Sequence, residues 1–150
     1  MNVTRRHTLA SLAGIALLAL ATLCAPSSAS AQDVSARVTV RAIVAGHGGS
    51  GVDASLSSWA DRLQRQFTTF DSFTLHGAQT FTLTAGNPAT IDIPGDRSAS
   101  IELLTVNNGT YSLQIQVPGG STTVRMPRDQ ILFVGGPNVP GGTLILMVDS

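Results

Sequence analysis

Leu144-Ile145-Leu146-Met147-Val148 is apolar at every position, and so is Ile131-Leu132-Phe133-Val134 shortly before it. A strand exposes alternate residues on opposite faces, so runs like these bury both faces. A single open sheet cannot cover them. Two packed layers can, with a helix covering one face or end.

The stretches upstream supply those parts. From Val34 to Ala45, Val34, Ala36, Val38, Val40, Ala42 and Val44 alternate with Ser35, Arg37, Thr39, Arg41 and Ile43. Period two over that length predicts a strand with one face on a core and two Arg on the other. Gly46-His47-Gly48-Gly49-Ser50-Gly51 ends it, and Asp53 is placed to cap a helix. Leu56, Trp59, Ala60, Leu63 and Phe67 follow at helical spacing, which predicts one amphipathic helix over about 54–67.

After Phe70 the chain reads as strands and turns: 72–76, 80–84, 90–93, 100–106, 110–117, 122–126, 131–134 and 143–148. Asn107-Asn108-Gly109 between two of them is a hairpin signal. A three-residue loop with Gly109 left-handed sets Ile101 opposite Ile115 and Leu103 opposite Leu113. Hydrophobic matching favours that register, and it turns Leu104 and Val106 to the other face. The fold expected is mainly β: a two-layer antiparallel β-sandwich-like domain with one helix after the first strand.

The N-terminus is an address. Arg5-Arg6-His7 precedes an apolar run from Leu9 to Leu23, and Ala29-Ser30-Ala31 forms a small-residue cleavage site. This order marks residues 1–31 as a secretory signal peptide cut after Ala31. The apolar run falls short of a membrane-spanning helix. The Arg pair also resembles a twin-arginine signal, with Thr8 where a bulky residue is usual. Cys24 could accept a lipid, although Leu23 stands where a small residue is preferred. The domain 32–150 is then expected in the periplasm or outside the cell, or lipid-anchored through Cys24, with no transmembrane segment.

Composition narrows the function. The chain has 150 residues, 43% of them apolar, and nine basic against nine acidic groups. That balance excludes a disordered tail and lacks the basic footprint of a nucleic-acid binder. Without Cys24 the domain has no thiol for disulfide or redox chemistry.

Catalytic motifs are sparse. Gly46-x-Gly48-x-x-Gly51 fits the dinucleotide fingerprint in letters, but no strand–helix alternation follows it. Asp53 would also put a carboxylate where the pyrophosphate sits. His47, Ser50 and Asp53 share this loop, with Asp71 and His76 elsewhere, yet no nucleophile elbow is present. With two His and no Cys in the domain, no metal site is expected. Asp92 and Asp96 bracket a Pro-Gly turn that reads as solvated. Glu102 is the only Glu, too few for a paired-carboxylate glycosidase. Asn108-Gly109-Thr110 is formally a glycosylation sequon, which the hairpin explains.

Two surfaces remain as binding candidates. One is His47, Ser50 and Asp53 with Trp59, for a small ligand or glycan; packing in the core is the plainer role for Trp59. The other is the glycine-rich stretch from Gly135, Gly136, Pro137 and Asn138 to Gly142, read as a long loop for a protein partner.

Val40-Arg41-Ala42-Ile43, Val52-Asp53-Ala54-Ser55-Leu56, Val134-Gly135-Gly136-Pro137 and Gly142-Thr143-Leu144-Ile145-Leu146 carry a further signal. Together they resemble small exported β-rich proteins of Gram-negative bacteria to which no function is attached. The resemblance implies an envelope or secreted location and transfers no catalytic residue. The functional expectation is a non-enzymatic exported interaction or structural module that binds another envelope or secreted protein and needs no cofactor. The alternatives are a ligand or glycan binder using the Gly46–Asp53 loop, and a small hydrolase.

Overall fold

The computed structural model describes residues 34–49 and 51–150. The expected signal peptide, Cys24 and Ser50 lie outside them. The strands are β1 (Ser35–Gly46), β2 (Ser72–Thr84), β3 (Ala89–Ile93), β4 (Arg97–Asn107), β5 (Thr110–Val117), β6 (Gly120–Pro127), β7 (Ile131–Val139) and β8 (Gly142–Asp149). All pairings between them are antiparallel. One sheet runs β2-β1-β8-β7 and the other β3-β4-β5-β6. The expected two-layer sandwich is therefore the fold.

The helix differs in kind from the expectation. A 3-10 turn, Ala54–Trp59, leads into a seven-residue α-helix, α1 (Ala60–Gln66). Ser55, Ser57 and Ser58 account for the delay, because serine side chains compete for nearby main-chain groups. Asp53 caps the turn by accepting from the Ser55 amide at 3.0 Å.

Sheet one separates two cores. Between the sheets, Ala36, Val38, Val40 and Ala42 of β1 and Leu144, Leu146 and Val148 of β8 meet Ile101, Leu103, Leu113 and Ile115. On the outer side, Ile43, Ala45, Ile145 and Met147 pack with Phe73, Phe133, Leu56 and Leu63. The helix layer thus covers the second apolar face of β8, which is why that strand carries no polar residue from Leu144 to Val148.

Three strands change face partway along, each through one extra residue. In β2, Ala42 faces Gly77 and Ile43 faces Leu75, leaving His76 unpaired. Phe73 and Leu75 therefore point to the outer core while Phe81 and Leu83 point to the inner one. A one-residue bulge reverses side-chain parity, so 72–76 and 80–84 are one strand serving two cores. In β7, the break between Gly135 and Asn138 lets Phe133 face outward and Val139 inward.

The third bulge corrects the hairpin reading. Ile101 does face Ile115, and Leu103 faces Leu113, as hydrophobic matching requires. The loop, however, has two residues: Asn107 pairs with Thr110, and Asn108 and Gly109 have φ of 48° and 75°. That is the signature of a mirror-image tight turn. The extra residue is absorbed at Leu104, which is 38% exposed, and Val106 returns to the inner core.

Candidate functional site

The Gly46–Asp53 loop is fastened to the start of β2. Asp71 donates its amide to the Gly46 carbonyl at 3.1 Å, and its Oδ1 accepts from the Gly48 amide at 2.8 Å. Phe73 donates to Gly51 O at 2.9 Å, and Asp53 donates to Phe73 O at 2.8 Å. A Cβ on Gly49 would meet the Ser72 Cβ at 2.5 Å, so the loop lies flush against β2.

Its chemistry-bearing side chains serve this architecture. The His47 ring stacks on Phe70, with centroids 5.3 Å apart and planes 30° off parallel. Asp53 Oδ1 accepts from the Ser55 hydroxyl at 2.7 Å as well as from its amide, and Oδ2 accepts from the Leu75 amide at 3.4 Å. The Ser55 hydroxyl, then the Ser55 amide, with the Leu75 amide adding less, hold the Asp53 carboxyl below the usual carboxylate range. Each of these bonds favours the charged form. His47 and Asp53 thus share a loop while engaging different partners. Ser50, between them in sequence, lies outside the described residues.

Trp59 sits half-buried against the outer core. The Arg41 guanidinium lies 4.4 Å from its ring centroid, a cation–π contact. Arg41 Nη1 is 3.6 Å from Asp149 Oδ2 and makes no hydrogen bond among the described residues. Arg41, Trp59 and Asp149 therefore tie the helix layer to β1 and β8. The stacking face expected for a glycan is shared with Arg41. The sequence signal for this contact was Arg41 itself, an Arg on a strand face that turns apolar two residues later.

The glycine-rich stretch is corrected from loop to strand. Gly135, Gly136, Pro137 and Asn138 belong to β7, and the connection to β8 is only Pro140-Gly141. Glycine and proline suggested a loop, but pairing to β8 needs main-chain groups rather than side chains, and Pro137 sits on an edge strand where proline is tolerated. A Cβ on Gly136 would stand 3.1–3.3 Å from three Leu144 side-chain atoms. Asn138 is occupied: its side-chain Oδ1 accepts from Thr143 Oγ1 at 3.1 Å, and its carbonyl accepts from Arg97 Nη2 at 3.1 Å.

An open recess of about 520 Å³ lies at the β3–β4 turn, lined by His76, Asp92, Asp96, Arg97 and Ser98 among others. Among the described residues, no three His, Cys, Asp or Glu side chains are grouped to hold a metal ion. Among them too, no helix is long and apolar enough to cross a membrane.

What sequence reasoning missed is the outer edge of sheet two. β6 pairs with β5 from Val117–Gly120 to Thr110–Pro127 without a register break and, among the described residues, has no neighbour on its other side. Ser121, Thr122, Thr123 and Arg125 are exposed there. The available signal was Gly120-Ser121-Thr122-Thr123-Val124, a β-forming run without charge. Comparison of the chain with protein-family models, with curated proteins and with solved structures finds no match.

Proposed function

We propose that the chain is an exported, non-enzymatic interaction module of the cell envelope or secreted space, and that it contacts a protein partner through β6. The observation that carries this reading is the unbroken edge of β6, eight residues long and unpartnered among the described residues. An exposed strand edge offers a row of main-chain donors and acceptors to an incoming strand. The ordered N-terminal sequence of Arg pair, apolar run and Ala29-Ser30-Ala31 supports export. The inward-turned hydrogen bonds of Asp53 and the Arg41 contact on Trp59 weigh against the ligand-binding alternative.

A photo-crosslinking amino acid placed at Thr122 in producing cells tests the reading. One adduct of defined mass is expected from Thr122, and none from the exposed helix position Gln64. No adduct at Thr122, or equal labelling from both positions, would overturn it.

A further inference from the structure

We infer that the occupant of the β6 edge is a second copy of this chain, joined by an antiparallel β6–β6 pairing centred on Thr123. This deepens the interaction-module reading and rests on it. The other three sheet edges are each interrupted. β3 has five residues and lies between Pro88 and Pro94. β2 is bulged at His76, and β7 is bulged and contains Pro137. Short length, proline and bulges are the devices that keep edges from pairing. β6 has none of them before Pro127 at its last position.

The direction of the free main-chain groups follows from the turn. Pro118-Gly119 is a two-residue connection that closes on Val117 and Gly120. Hydrogen-bonding direction alternates along an antiparallel strand. Gly120, Thr122, Val124 and Met126 therefore address β5, and Ser121, Thr123 and Arg125 address the outside. A twofold axis at Thr123 sets Thr123 opposite Thr123 and Ser121 opposite Arg125 of the other copy. All three outward-directed residues then pair, giving six main-chain hydrogen bonds.

The side chains match in the same register. Ser121, Thr123 and Arg125 share the outer face, where Arg125 meets a serine hydroxyl rather than another Arg. On the inner face Thr122 meets Val124, a half-buried core residue whose remaining exposed surface the second copy covers. Directly opposed threonines and β-branched pairs are favourable across strands, and no like charges face each other. The self-association is isologous, so it closes at two copies.

Sedimentation of the purified protein over a concentration series tests this directly. A monomer–dimer equilibrium is expected, and Thr123→Pro should weaken it at least about tenfold. The Thr123 amide points away from β5, so proline there leaves the β5–β6 ladder intact and the circular dichroism spectrum unchanged. Thr123→Cys gives an independent readout. Hydrogen-bonded antiparallel pairs place Cα atoms about 5.5 Å apart, within disulfide range. Thr123→Cys should therefore oxidise to a covalent dimer, and Thr90→Cys on β3 should not. A monomer at every concentration, or equal crosslinking by both cysteines, overturns the second-copy assignment. If the protein is monomeric yet the Thr122 probe captures a different protein, the pairing falls and the interaction-module reading stands. If that probe captures nothing, the module reading falls too.

Discussion

Leu63→Ala should detach the helix layer while leaving the sandwich standing. Leu63 is fully buried in the outer core and is the only buried residue of α1. Truncation removes about 2 kcal/mol of transfer free energy. The hole left in the outer core adds about 1 kcal/mol, since packed surroundings relax only in part. Seven residues cannot hold a helix without tertiary support. The loss of about 3 kcal/mol should therefore appear as local undocking. Trp59 is the only Trp and lies in the same core, so its emission reports the event. Guanidinium titrations followed by emission and by circular dichroism should separate in the variant, with the Trp59 signal moving first. Leu113→Ala, at an equally buried site between the sheets, should shift both curves together. A Leu63→Ala loss under about 1 kcal/mol with unchanged emission would refute the idea that this contact anchors the helix.

Three more outcomes follow from the geometry. Deleting Leu104 removes the bulge and leaves Leu103 opposite Leu113 with Thr105 opposite Ser112; the unfolding free energy should fall by no more than about 1 kcal/mol, whereas deleting Ser112 should lose several-fold more. Gly142 has φ 153°, and a Cβ there would collide with the Ala45 carbonyl oxygen. Gly142→Ala should cost at least about 3 kcal/mol by denaturant titration, against near neutrality for Gly135→Ala, where no atom lies within 4 Å. Asp53→Ala should lower the melting temperature at neutral pH and make no difference in strong acid. The folded state holds the Asp53 carboxyl below its ordinary range, so its contribution is full above that range and fades as pH falls through the lowered value.

Much of the architecture was legible because it rests on apolar parity. Leu144–Val148 demanded two covered faces, and the inner sheet and the helix layer supply them. Ile101 opposite Ile115 was legible for the same reason. Hydrophobic matching fixes which rows meet, but not where a spare residue is stored. Asn108 and Gly109 both accept positive φ, so the tight turn formed and the bulge moved to Leu104. His76 was likewise hidden: a face change inside one strand looks in sequence like two short strands with a gap. The β7 extension was illegible because its pairing uses the main chain of Gly135–Asn138. On the site, the sequence pointed to His47, Asp53 and Trp59, and the structure shows His47 and Asp53 fastening the loop and its helical turn, and Trp59 helping to dock the helix layer. The β6 edge was hidden because edge and interior strands read alike until neighbours are known.

The central position of β8 also sets an order of events. It lies between β1 and β7, and its pairing with β1 joins Thr39 to Asp149 and Ala45 to Thr143. These partners are separated by about a hundred residues, so sheet one cannot close until the last described strand has been made. Pairings that distant are slow to form. Sheet two, by contrast, is a run of consecutive hairpins from β3 to β6 and can assemble as it emerges. During synthesis the chain therefore holds β1 and β2 in waiting, their apolar faces uncovered. That interval, rather than the finished fold, is when the protein most needs protection from its neighbours.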